Sequence, residues 1–297
     1  MSVEVQELLE PLPLQHRPRT QPVLDLHIGQ VLLRAGKLNE NDIQQIVAIQ
    51  GSEQIRFGDA AVKLGMLDRH DVQQALALQF AYPCLHGDTS LLSRQLVAAF
   101  EPFGPQAEAL RRLRTQLSMR WFSRRKLLAV TSARANEGAS LVAANLAIGF
   151  AQVGVRTLLI DANFRTPTQH RLFGRTLETG LSTLLADRAV LDEVVTPIEG
   201  FAHLALLCAG PIPPNPQELL ERTSFVRALN RLGDSHDVVL IDGPPLLECA
   251  DTQTLASRTS GCLLSMRRHA TRVSDVEQVK ALLRPASAVL VGSVLCD

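Results

Sequence analysis

The sequence predicts a doubly wound α/β domain with a mainly parallel sheet from about residue 107 onward, preceded by a small all-α helical-hairpin repeat. Three observations carry this reading. Near-continuous apolar runs at 127–131, 156–161, 204–208, 237–242, 262–266 and 288–295 read as strands buried on both faces. Helical patterns at 139–153, 216–232, 249–258 and 273–283 alternate with them, the order that gives right-handed parallel crossovers. Ahead of these, 27–50 and 56–79 are each 24 residues long and align without a gap.

From the N-terminus, residues 1–26 form a tail broken by Pro11, Pro13, Pro18 and Pro22, with no basic-then-apolar leader pattern. The repeat domain, 27–80, pairs Gly29 with Gly58, Gly36 with Gly65, Leu38 with Leu67 and Asp42 with Asp71, and its halves close on Gln50 and Gln79. Each half reads as a short helix, a Gly-centred turn and an amphipathic helix N-capped by Asn39 or Asp68. Leu38, Ile43, Ile46, Val47 and Gln50 have the spacing of one buried face. Residues 81–106, with Pro83, Gly87, Pro102, Gly104 and Pro105, read as a linker containing one short helix. A basic helix at 107–121 then opens the α/β domain, 107–297.

Formal charge is zero, so bulk electrostatics give no case for nucleic acid or an acidic membrane surface. The five cysteines form no Cys-x-x-Cys pair and several lie in apolar runs, which points to a reducing compartment and no thiolate metal site. No apolar run reaches the ~18 residues of a spanning helix. The expectation is a cytoplasmic chain without direct membrane insertion.

The chemistry centres on 126–165. An apolar strand enters a small-residue loop and a helix leaves it, the context in which main-chain N–H groups and a helix N-terminus cradle phosphate. Ala139 stands where a lysine would reach the β- and γ-phosphates, and Ser140 stands where a hydroxyl would hold Mg²⁺. Strands 156–161 and 237–242 deliver Asp161 and Asp242 to the same sheet edge. Phosphoryl transfer is mostly positioning and charge neutralisation. Ser140, Asp161 and Asp242 are therefore the candidate Mg²⁺ ligands, the two aspartates are the candidate catalytic groups, and Arg134, Asn136, Glu137, Gly138, Ala139 and Ser140 are the candidate contacts to ATP or ADP. Loss of the lysine removes a contact worth ~1.5–3 kcal/mol. Arg134 has two readings, a stand-in cation or a solvated loop-tip arginine.

These residues resemble the bacterial tyrosine kinase (BY-kinase) family, cytoplasmic ATP-binding partners of polysaccharide chain-length regulators with a P-loop NTPase-like fold. The family pattern Thr-Ser-Ala-x-Pro-Gly-Glu-Gly-Lys-Ser-Thr aligns with 131–141. The likeness continues through Arg165-Thr166-Pro167, Gly180-Leu181-Ser182, Gly210-Pro211-Ile212-Pro213-Pro214-Asn215-Pro216, and Asp242-Gly243-Pro244-Pro245 with Asp251 following. The nearest subgroup is the EpsG-like exopolysaccharide proteins, where a helical domain comes first. Departures are Ala135 for Pro, Asn136 for Gly, Ala139 for Lys, Leu141 for Thr, and Asn163 for the second aspartate of Asp-x-Asp; Asn163 cannot serve as a base.

The resemblance implies an ATP-binding component of exopolysaccharide biosynthesis with impaired kinase activity, held at the inner membrane by a Wzz-like chain-length regulator. An active kinase acting on a partner is the alternative. A MinD-like regulatory ATPase shares the fold and is disfavoured by the Pro-Pro-Asn-Pro and Asp-Gly-Pro-Pro segments. Glu108, Arg111 and Arg114 resemble the Glu-x-x-Arg-x-x-Arg pattern that packs family subunits into a ring, implying a homo-oligomer; the plainer reading is an exposed helix with a Glu-Arg pair worth ~0.3–0.5 kcal/mol. The family phosphorylates a C-terminal tyrosine cluster. This chain stops at Asp297 and its one tyrosine is Tyr82, so self-phosphorylation of that kind is not expected.

The repeat resembles the MshEN-like domain at the front of type II secretion ATPases, whose paired 24-residue motifs open on Arg-Leu-Gly and bind cyclic di-GMP. Arg56-Phe57-Gly58 is close to that opening, and His27-Ile28-Gly29 lacks its arginine. The residues implied are His27, Gly29, Gly36, Gln50, Arg56, Gly58, Gly65 and Gln79. The other reading is a helical docking module whose glycines permit close packing.

Overall fold

A computed structural model describes residues 27–80, 82–85 and 91–297. The Pro-rich stretch 1–26, and residues 81 and 86–90 of the expected linker, lie outside the described residues. The chain divides into two compact units between Met66 and Leu67.

The smaller unit holds α1 (Ile28–Arg34), α2 (Glu40–Glu53) and α3 (Phe57–Lys63). Gly36 takes a φ of 67° after α1, a conformation that glycine adopts without a Cβ penalty. Asn39 caps α2 in a reciprocal box: its side chain accepts from Asp42 N–H and the Asp42 carboxylate accepts from Asn39 N–H, both at 2.9 Å. Leu38 and Ile46 are buried and Ile43 and Gln50 half-buried, but Val47 is 51 % exposed. Val47 falls at the edge of the apolar stripe that Ile43, Ile46 and Gln50 define.

The same device opens α4 (Arg69–Gln79), where Asp68 and Asp71 cap one another after Gly65, whose φ is 68°. The division between the units thus falls inside the second repeat, and α4 belongs to the larger unit.

The larger unit continues with α5 (Val97–Phe100) and α6 (Pro105–Leu117), which runs into a wide π-turn at Ser118–Phe122. Then come β1 (Leu127–Ser132), α7 (Ala139–Ala151), β2 (Thr157–Asp161), α8 (Gln169–Leu172), α9 (Leu181–Leu185), α10 (Leu191–Val194), β3 (Val195–Pro197) and β4 (Leu204–Leu207). The rest is α11 (Pro216–Glu221), α12 (Thr223–Ser235), β5 (Val238–Asp242), α13 (Asp251–Thr259), β6 (Gly261–Arg267), α14 (Val273–Leu283) and β7 (Val289–Cys296). The sheet order is β3-β4-β2-β5-β1-β6-β7, parallel throughout except for β3 against β4.

Alternate strand residues feed two buried layers. Leu128, Val130, Leu159 and Leu240 share one with Leu146, Ile148 and Phe150 of α7. Leu158, Ile160, Val239 and Ile241 share the other with Phe225, Leu229 and Leu232 of α12. Both faces of the central strands are covered, which is why those strands read as unbroken apolar runs.

Three expectations change. The helix expected over 216–232 breaks at Arg222, whose ψ is 146°, with no glycine or proline to mark it. The edge strand β3 was not foreseen, because three residues ending on proline carry no legible alternation. The expected linker is packed where described: Leu96, Ala98, Ala99 and Phe100 are buried. Asn145 accepts from Ala98 N–H at 2.9 Å, Gln152 Nε2 donates to Pro83 and Ala98 carbonyls at 2.8 and 2.6 Å, and Tyr82 O–H donates to Gln152 Oε1 at 3.1 Å. Two buried amides, Asn145 on α7 and Gln152 just after it, need partners, and this segment supplies them. Among the described residues no helix is long and apolar enough to cross a membrane.

Candidate nucleotide and metal site

Between β1 and α7 the chain makes a tight loop shaped by two left-handed residues, Asn136 with φ 63° and Gly138 with φ 82°. Asparagine visits this region more readily than most residues, so the turn survives without glycine at 136. Glu137 is the loop's internal strut. Its buried carboxylate accepts the N–H groups of Ala133 and Arg134 at 2.9 and 3.0 Å through Oε2, and the Thr271 hydroxyl at 2.5 Å through Oε1. Ser265 Oγ donates to its carbonyl at 2.5 Å.

Arg134 forks onto Asp275 of α14, Nε to Oδ2 at 3.2 Å and Nη2 to Oδ1 at 2.9 Å. The guanidinium holds the Asp275 carboxyl below the usual carboxylate range. Arg134 is about half exposed, and its guanidinium is engaged in this ion pair. Next along, Ala135 N–H donates to Glu248 Oε1 at 2.8 Å. A proline at 135 would have no such donor. Ala139 is buried at the first turn of α7, and no cationic side chain leaves the loop at that point.

Asp161 and Asp242 stand opposite one another in register at the ends of β2 and β5, both fully buried. Asp161 Oδ1 accepts from Asn163 N–H at 3.1 Å, and its Oδ2 accepts from Thr168 and Gln169 N–H, each at 3.0 Å. Asn163 itself closes the following turn by exchanging hydrogen bonds with Thr166. Asp242 Oδ2 accepts from Gln169 Nε2 at 2.7 Å, and the same nitrogen donates to Ser140 O at 2.9 Å. The structure thus brings Ser140, Asp161 and Asp242 together around Gln169.

Burial pushes the Asp161 carboxyl up from its ordinary value, against three amide donors that pull it down. Asp242 is pushed up by burial and then by the neighbouring Asp161 charge, opposed only by Gln169 and the Ser140 hydroxyl. Asp242 Oδ1 is buried with no hydrogen-bond partner. An orphaned carboxylate oxygen beside a second buried carboxylate and a serine hydroxyl is what a hard cation would satisfy, so these residues fit Mg²⁺. Among the described residues no three of His, Cys, Asp or Glu gather into a cluster.

The remaining expected residues lie elsewhere. On α6, Arg111 donates to Glu108 Oε2 through Nε and Nη2 at 2.9 and 2.6 Å and also to Pro102 O, while Arg114 Nη1 donates to Gly149 O at 2.7 Å. In the smaller unit, His27 precedes α1 without a side-chain cap, Gly29 has room for a Cβ only at 3.4 Å from the Phe57 ring, and Gln50 lies on α2. Arg56 is exposed at the start of α3, which carries Gly58; Gly65 follows it, and Gln79 ends α4 in the larger unit. Gln169, Glu248, Thr271 and Asp275 were not read from the sequence. Glu248, Thr271 and Asp275 lie far along the chain from the loop they bond, and Gln169, eight residues from Asp161, reaches Asp242 73 residues away; no spacing signals them.

No protein-family model matches the chain. The putative tyrosine-protein kinase CapB of Staphylococcus aureus is 36 % identical over 172 residues, 57 % of this chain and 74 % of that protein. Tyrosine-protein kinase YwqD of Bacillus subtilis is 34 % identical over 207 residues, 69 % of this chain and 87 % of that one. Among solved structures, the chimerical protein CapA2B2 superposes with a TM-score of 0.65 at 30 % identity, covering 75 % of this chain and 97 % of its own. With a strand-loop-helix cradle, paired aspartates at the sheet edge and this degree of likeness, the chain belongs to the bacterial tyrosine kinase family.

Proposed function

We propose that this protein is a cytoplasmic, tyrosine-kinase-like nucleotide-binding component of exopolysaccharide biosynthesis and chain-length regulation, with impaired phosphoryl transfer. The observation that supports this reading is that Ser140, Asp161 and Asp242 gather around Gln169 beside a loop with Ala139 where the family pattern has lysine. The amides of the loop and the first turn of α7 bind the phosphates of ATP or ADP. Ser140, Asp161 and Asp242 hold Mg²⁺, which neutralises phosphate charge. Without a lysine the transition-state charge lacks its cationic partner, and transfer slows while binding persists weakly.

On this reading the protein docks on a Wzz-like inner-membrane regulator, self-associates through Glu108, Arg111 and Arg114, and receives a cyclic di-GMP signal through the front repeat, 27–80. The second reading, an active kinase whose acceptor is a partner, is favoured by the tight turn of the loop at Asn136 and Gly138 and the burial of both aspartates. A phosphotyrosine blot of the purified protein with its operon partner, with and without ATP, decides between them. No ATP-dependent signal is expected; a strong one overturns the impaired reading.

A further inference from the structure

Gln169 bonds every member of the aspartate–serine group through its main chain and its side chain together. It is completely buried at the start of α8, and it bonds all three residues of the magnesium side. Its main-chain N–H donates to Asp161 Oδ2, and its Nε2 donates to Asp242 Oδ2 and to Ser140 O. Those two side-chain bonds use both amide hydrogens. They also fix which way the amide faces, because a flipped group would set its oxygen against a carbonyl and a carboxylate. Asp242 Oδ2 is thereby held, and Asp242 Oδ1 remains buried without a partner.

We propose that Gln169 is the positioning residue of the metal site: it selects Asp242 Oδ1 as the oxygen offered to the cation and ties that choice to the first turn of α7 through Ser140. Gln169 Oε1, also buried and unpartnered, faces the same need for a donor and suits a water of the cation's shell. This inference rests on the nucleotide and Mg²⁺ reading above. It predicts that Gln169 governs metal linkage rather than nucleotide affinity as such.

The test is calorimetric titration of the full chain with ADP, in excess Mg²⁺ and in EDTA, for the unaltered protein and for Gln169→Leu. The unaltered protein should bind ADP more tightly with Mg²⁺, and Gln169→Leu should reduce that ratio about tenfold while the affinity in EDTA stays within about twofold. Asp242→Asn should abolish the ratio, and adding Gln169→Leu to it should change nothing further. A ratio preserved in Gln169→Leu, or equal losses with and without metal, overturns the inference alone. An unaltered protein that shows no effect of Mg²⁺ overturns the underlying reading and the inference with it. If Gln169→Leu does not fold, Gln169→Met, unbranched and of similar length but without the donor, carries the same comparison.

Discussion

Asp161 and Asp242 face each other across one step of a parallel ladder, both sealed from solvent, with four amide N–H donors around them and one oxygen of Asp242 left over. Without a cation this arrangement favours the protonated form of Asp242. A carboxyl whose folded pKa lies above its unfolded value of about 4 makes the native state bind more protons, so its contribution to stability falls as pH rises from about 4 toward neutrality. Asp242→Asn should flatten this slope and make the metal-free protein more stable at neutral pH. Thermal melts of both proteins in EDTA across that range check it, with steeper loss in the unaltered chain as the expected result.

Ala139→Lys should restore a charged contact to the phosphates and tighten binding of Mg²⁺-ATP by about 10–100-fold. Calorimetry of the two proteins measures it. Equal, tight binding in both would mean that another cation already does the lysine's work.

Glu248 places a carboxylate on the Ala135 amide at the mouth of the loop. Both residues are exposed, so the effect on an incoming phosphate is modest and screened. Glu248→Gln should tighten ADP binding by about two- to fivefold at low salt, with the gain shrinking as salt rises. An affinity that is unchanged at every ionic strength would show that the contact does not oppose the nucleotide.

Arg114 caps one of the last carbonyls of α7, a group with no partner inside the helix. Arg114→Ala should therefore lower stability to urea by about 1 kcal/mol, whatever its effect on assembly. Arg112, 80 % exposed and weakly paired with Glu108, should cost little on replacement. Size-exclusion chromatography of both variants separates a role in self-association from a role in the fold.

Arg56→Ala should abolish any heat of cyclic di-GMP binding, since this guanidinium is exposed and free to stack on or bond a guanine. Titration of the full chain is the measurement. No heat from the unaltered protein would leave the repeat as a docking module.

The sequence by itself determined the alternation of strands and helices, the glycine turns and caps of the repeat, and the delivery of Asp161 and Asp242 to one sheet edge beside the loop. These are short-range properties: an apolar run records burial on both faces, and a capping residue and its partner stand three positions apart. Tertiary structure alone decided that Gln169 joins the two aspartates, that Glu248 meets the amide of Ala135, that Arg134 is held by Asp275 141 residues away, and that the expected linker packs onto α7. Each depends on which distant segments the sheet order brings to one place. A polar side chain in a loop carries no periodicity that would announce its partner.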